Sequence, residues 1–115
     1  MERMHADIKA QWLVALRSGA YTQVQATLHT TDGFCCLGVL LEQCNEGHWD
    51  LIGEDEGCLA SRYEYVGNGY RAITGLTSPL LHWASLSRET QNILMKMNDD
   101  GESFTAIADW IDANL

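Results

Sequence analysis

Basic residues are scarce in this chain of 115 residues: seven Lys and Arg stand against sixteen Asp and Glu, a formal charge of −9. Non-specific binding to DNA or RNA depends on cations that neutralise phosphates, so direct contact with nucleic acid is not expected. Proline occurs once, at Pro79, and no Pro/Ser-rich or low-complexity tract suggests a disordered tail. No run of about eighteen apolar residues could span a bilayer, and the segment Met1 to Asp7 lacks the apolar core of a signal peptide. The expected location is the cytosol, with no membrane partner. Paired CxxC spacings, an HExxH helix and a phosphate-cradling glycine loop are all missing, which removes the strongest sequence signals for zinc and nucleotide-hydrolysing sites.

What is present begins with Asp32-Gly33-Phe34-Cys35-Cys36-Leu37-Gly38-Val39-Leu40-Leu41, an apolar run holding two adjacent cysteines and a lone glycine. It reads as a core motif. A chain of this length forms one globular domain, residues 1–115, able to bury roughly two-thirds of its unfolded surface. In a reducing compartment Cys35, Cys36, Cys44 and Cys58 are expected to be free and largely buried. Vicinal cysteines could bridge each other only through a strained ring, so no structural disulfide is expected.

Ile8, Trp12 and Leu16 recur at four-residue spacing, which predicts an amphipathic helix over 5–18 stopped by Gly19. Val24, Ala26 and Leu28 alternate with polar residues and predict a half-buried strand. Asp32-Gly33 is a turn signal leading into a second strand, and Leu37 to Cys44 reads as a buried helix. Residues 62–66 and 70–74 flank Gly67-Asn68-Gly69 and predict a hairpin. Ser78 is expected to cap a short helix with Pro79 at its first position. Ser87 is expected to cap a helix whose face is Thr90, Ile93, Leu94 and Met97, ended by residues 98–101. Ser103 is expected to cap the last helix, with Phe104, Ile107, Ala108, Ile111 and Leu115 as its stripe, and the last two helices are expected to pack as a hairpin. The fold class is α+β, a single small domain with helices packed on a small antiparallel sheet or hairpin.

Each candidate chemistry meets a plainer alternative. If Gly101 were the sixth residue of a calcium loop, Lys96 would hold the first ligand position and Ile107 the twelfth, so residues 98–101 are a helix-to-helix turn. Cys44, His48 and Cys58, with Cys36 or His82, lack any zinc-type spacing, and no metal or cofactor is expected. Cys35 or Cys36 could pair with His29 or His82, oriented by Asp32, but a thiol in so apolar a run is expected to be desolvated and inert. No catalytic residue is therefore expected, which leaves binding. Arg17, Tyr21 and Gln23 form one candidate set, and Arg62, Tyr63, Tyr65, Asn68, Tyr70 and Arg71 form another around the hairpin. In such sets a ring stacks on a base, Arg takes a phosphate through paired hydrogen bonds, and an amide reads a base edge. The same residues would equally serve as tyrosines at the core margin and arginines in surface ion pairs.

The FCCLGVL run, Trp12, Ala15 to Gln23, Met97-Asn98-Asp99 and Ser103-Phe104 leading into Ile107-Ala108-Asp109 together resemble a group of small bacteriophage proteins of unassigned function. The likeness covers most of the chain and is weakest over 45–77. It implies a setting, infection of a bacterial cell, and carries over no catalytic residues. Small non-enzymatic phage proteins often block host defence. The resulting expectation is a counter-defence protein that sequesters a nucleotide-derived immune messenger without degrading it, as a homo-oligomer with sites at or near subunit contacts. The alternative is an acidic inhibitor of a host defence nuclease or effector, using Glu42, Glu46, Asp50, Glu54, Asp55 and Glu56, a stretch without Lys or Arg between Arg17 and Arg62.

Overall fold

The first helix, α1 (Ala6–Arg17), forms where the four-residue spacing predicts it and buries Trp12, Ala15 and Leu16. A computed structural model describes residues 4–44, 47–53 and 62–115. Short strands β1 (His29–Thr30) and β2 (Gly33–Phe34) flank the Asp32-Gly33 turn, and α2 (Cys36–Glu42) follows. Strands β3 (His48–Gly53), β4 (Arg62–Gly67) and β5 (Tyr70–Ala72) precede α3 (Ser78–Ala84), α4 (Arg88–Asp99) and α5 (Phe104–Asn114). The result is an α+β fold in which helices pack on a five-stranded antiparallel sheet.

The sheet runs β2-β1-β4-β3, with β5 also paired to β4. Arg62 is opposite Gly53 on one side and Thr30 on the other, so β1 and β5 share one edge of β4 and β3 takes the other. The expected hairpin forms as β4–β5 around Asn68-Gly69, where Gly69 adopts φ +83°. Its left-handed conformation is open to glycine without the Cβ clash other residues suffer.

The expected strand through Val24, Ala26 and Leu28 does not form. Gln23 makes one isolated bridge to Phe34, and Ala26 turns into the left-handed region at φ +69°. Side chains of α4 take the backbone groups a ladder would have used. Asn98 Nδ2 donates to the Val24 carbonyl (2.8 Å), and Asp99 Oδ1 accepts from the Ala26 N–H (2.9 Å). Residues 98–101 are therefore more than a turn between helices, since two of them fix a segment some seventy residues earlier.

The same cause shifts the inner face of α4. Thr90 and Leu94 are buried as expected, but Ile93 is 42% exposed and Met97 only half-buried, while Gln91 and Asn98 point inward. Both polar side chains satisfy loop backbone: Gln91 Oε1 accepts from the Leu76 N–H at 2.5 Å. Ser87 and Ser103 cap α4 and α5 by accepting from Thr90 and Ala106. In α3 the cap position falls on Thr77, one residue before the expected Ser78, and Pro79 sits within the first turn. The stripe Phe104, Ile107, Ala108 and Ile111 is buried; α5 touches α4 but packs chiefly against α1. Among the described residues, no helix is long and apolar enough to cross a membrane.

Candidate functional site

Three parts of the distinctive sequence pattern meet at one peptide unit. The Cys36 N–H donates to Asn98 Oδ1 (3.1 Å), and the Cys36 carbonyl accepts from Trp12 Nε1 (2.9 Å). Asn98 Oδ1 also accepts from Gln23 Nε2 at 3.0 Å. Trp12 and Asn98 are almost fully buried, so these bonds form where water cannot replace them. Gly38 completes the cluster: a Cβ there would lie 1.9 Å from the Leu28 carbonyl oxygen. Trp12, Cys36 and Asn98 thus hold α1, α2 and α4 together, while Gly38 lets α2 press against the Leu28 backbone.

The thiols share this interior. Cys35 Sγ accepts from the Gly38 N–H, capping α2, and Cys36 Sγ donates to the Leu94 carbonyl. Burial pushes the Cys35 thiol up to about 11 and Cys36 well above the ordinary thiol range. Such thiols have almost no thiolate near neutral pH. His29 is engaged elsewhere, stacked between Phe34 (3.8 Å) and Tyr63 (4.3 Å) with Trp49 edge-on (4.9 Å). Its Nδ1 lies 2.7 Å from the Gly33 carbonyl, which can only accept, so Nδ1 carries a proton. Cys35, Cys36 and Cys44 are free thiols, and among the described residues no three His, Cys, Asp or Glu side chains gather as a metal site. Cys58 lies outside the described residues.

The sheet divides the second candidate set. Successive residues of a strand point to opposite faces, so Tyr63, Tyr65 and Tyr70 belong to the face that packs on the helices, whereas Arg62 and Arg71 belong to the outer face. Tyr65 is buried, its hydroxyl donating to the Cys44 carbonyl (3.1 Å) and accepting from the Gly47 N–H (2.9 Å). Tyr63 is committed to His29. Arg71, 68% exposed, pairs with Glu64 one strand over, a partner that its neighbours in sequence do not reveal.

What survives as a concavity is the end of the hairpin. Val66, Gly67, Gly69, Tyr70 and Arg71 line an open recess of about 470 Å³, with Asn68 exposed at the turn beside it. The Tyr70 ring lies over Gly67, where any Cβ would collide with it. Two of the expected residues, Tyr70 and Arg71, therefore line the recess, each from its own face of the hairpin.

The first set separates more completely. Arg17 pairs with Asp109 (2.9 Å) and Asp112 (3.5 Å), tying α1 to α5. Gln23 is bound to Asn98 and the Glu102 carbonyl. Tyr21 packs edge-on against Phe34 and lines an open groove of about 480 Å³ with Ala10, Gln11, Val14, Ser18 and Gln43. Sequence reasoning missed that second face of α1; the signal was Ala10, Val14 and Ser18 at four-residue spacing.

The chain is thus a small α+β protein whose most distinctive residues serve the core, leaving, among the described residues, two open surface concavities as candidate ligand sites. The family model for the domain of unknown function DUF8296 matches residues 4–115, and the chain belongs to that family. No curated protein and no solved structure shows significant similarity to it.

Proposed function

We propose that this is a bacteriophage counter-defence protein acting in the host cytosol, which binds a nucleotide-derived immune messenger and holds it without converting it. The observation that carries this reading is the hairpin recess, where Tyr70 and Arg71 border one cavity of about 470 Å³, within the size range of small-molecule sites. Arg71 supplies a guanidinium that can take phosphate in paired hydrogen bonds. The Arg71 side chain is 68% exposed and has donors beyond the one held by the largely buried Glu64 carboxylate, so a phosphate can be added without breaking that pair. A single arginine is little for an anionic ligand on a chain of charge −9, which favours an oligomer that brings two recesses to one ligand.

Native mass spectrometry with a mixed panel of cyclic dinucleotides and ADP-ribose derivatives tests this directly. An intact-ligand adduct is expected, weakened about tenfold or more by Arg71→Ala and by Tyr70→Ala. Absence of any adduct, or release of a converted ligand, would sink the reading for those messengers.

A second reading, an acidic inhibitor of a basic host protein, is favoured by a separate observation. Arg17 and Arg71 are both already held by carboxylates, while Glu42 and Asp50 stand exposed near the β3 end of the sheet. Glu46 and residues 54–56, also expected to take part, lie outside the described residues. Affinity for such a partner should fall with salt and with charge reversal at Glu42 and Asp50.

A further inference from the structure

We infer that the open edge of β3 is a docking strand for an extended polypeptide segment that alternates basic and apolar residues. The inference rests on the acidic-inhibitor reading and gives it a geometry. β3 ends the order β2-β1-β4-β3, and among the described residues no strand pairs with its outer side. The edge of a strand presents a row of N–H and C=O groups that template another strand. Usual protections are sparse here: His48 to Leu51 contain no Lys or Pro, and the register breaks only after Leu51.

Charge and apolar surface specify the occupant. Asp50 is directly opposite Glu64, a like-charge pair across two strands that is unfavourable by itself. Glu64 has Arg71, and among the described residues Asp50 has the exposed His48, whose Nε2 lies 3.1 Å away. A Lys or Arg on an added strand would sit across from Asp50 at the ordinary interstrand spacing of about 4.8 Å. One residue along, the side chain points to the other face, where Leu51 is 56% exposed. An apolar residue there would cover it. A second copy of this chain is the poorer occupant, since each copy carries −9 and a two-fold pairing centred on Asp50 would oppose two carboxylates.

The test uses the full chain and a blocked peptide of alternating Lys and Val, followed by amide hydrogen exchange resolved by NMR. Saturable binding is expected, with protection of β3 amides between His48 and Leu51. Affinity should fall about fivefold or more in Asp50→Lys, which keeps its fold because the new Lys faces Glu64, and a Glu/Val peptide should not bind. Binding of the Lys/Val peptide without protection at β3 would overturn the docking strand and leave the acidic-surface reading standing. No binding at all would overturn both. Protection that rises with protein concentration before peptide is added would assign the edge to a second copy and overturn the peptide assignment.

Discussion

The carboxamide of Asn98 receives the backbone N–H of Cys36 at 3.1 Å, so a helix C-terminus holds the first residue of another helix sixty-two positions earlier. The same side chain donates to the Val24 carbonyl. Asn98→Ala would leave the buried Cys36 N–H and the part-buried Val24 carbonyl without this partner. Each such loss costs about 1–3 kcal/mol, so a destabilisation of about 2–5 kcal/mol is expected, read from the urea midpoint at unchanged slope. Trp12→Phe removes the bond to the Cys36 carbonyl together with part of a fully buried ring system, and should cost about 2–5 kcal/mol. The two residues share the Cys36 peptide, so the double variant should depart from additivity.

Ala26 offers the opposite sign. A non-glycine residue at φ +69° carries about 1–2 kcal/mol of steric cost, and the exposed methyl group loses no packing when removed. Glycine brings about 0.5–1 kcal/mol of added chain entropy in the unfolded state. Ala26→Gly should therefore raise stability by about 0.5–1 kcal/mol, whereas Asp99→Ala, which frees the Ala26 N–H, should lower it. Thermal melts of the two variants check both directions.

These two positions also mark where the sequence was legible and where it was not. Helices announced themselves through local signals: the spacing of Trp12 and Leu16, the caps Ser87 and Ser103, the stripe from Phe104 to Ile111. The hairpin followed from Asn68-Gly69. What failed was the segment 23–28, because its backbone is satisfied by Asn98 and Asp99, and no periodicity reports a hydrogen bond across seventy residues. The inner face of α4 departs from its hydropathy for the same reason: hydropathy places Ile93 inside and Gln91 outside, and the fold reverses them. At the candidate site, neighbours in sequence are not neighbours in space. Strand alternation alone separates Arg62 from Tyr63, while the carboxylates that hold Arg17 and Arg71 come from α5 and β4, where only the fold could bring them.

Gly38 tests whether the apolar run is fixed by close packing. Its Cα faces the Leu28 carbonyl so closely that an alanine Cβ would overlap the oxygen, and neither α2 nor the Leu28 backbone has a flexible end to yield. Gly38→Ala should destabilise by about 3 kcal/mol or more despite the higher helix propensity of alanine. Val39→Ala, a deletion in the same buried turn, should cost about 1–3 kcal/mol and serves as the comparison for ordinary loss of packing. If Gly38→Ala proves the milder of the two in urea unfolding, the contact with Leu28 does not constrain the helix.

The buried thiols predict a loss of stability at alkaline pH. Burial raises Cys35 from an ordinary value of 9.0 to about 11, raises Cys36 well above that ordinary value, and raises the Tyr65 hydroxyl as well. A group whose pKa is higher in the folded state keeps its proton there while the unfolded chain has lost it. The unfolded state then binds fewer protons, and stability falls as pH rises. For Cys35 the stabilisation is complete below pH 9.0 and is lost on the way to about 11. The gap between the unfolded and folded values corresponds to about 2–3 kcal/mol for that one group. Urea unfolding should therefore show a flat profile up to about pH 8 and a decline beyond, shallower in Cys35→Ala once its lower starting stability is subtracted. Iodoacetamide at pH 8 should leave both thiols unmodified until denaturant is added. Labelling at the rate of a free thiol would mean that Cys35 or Cys36 reaches solvent as a thiolate, and the assignment of this pair to the core alone would then be wrong.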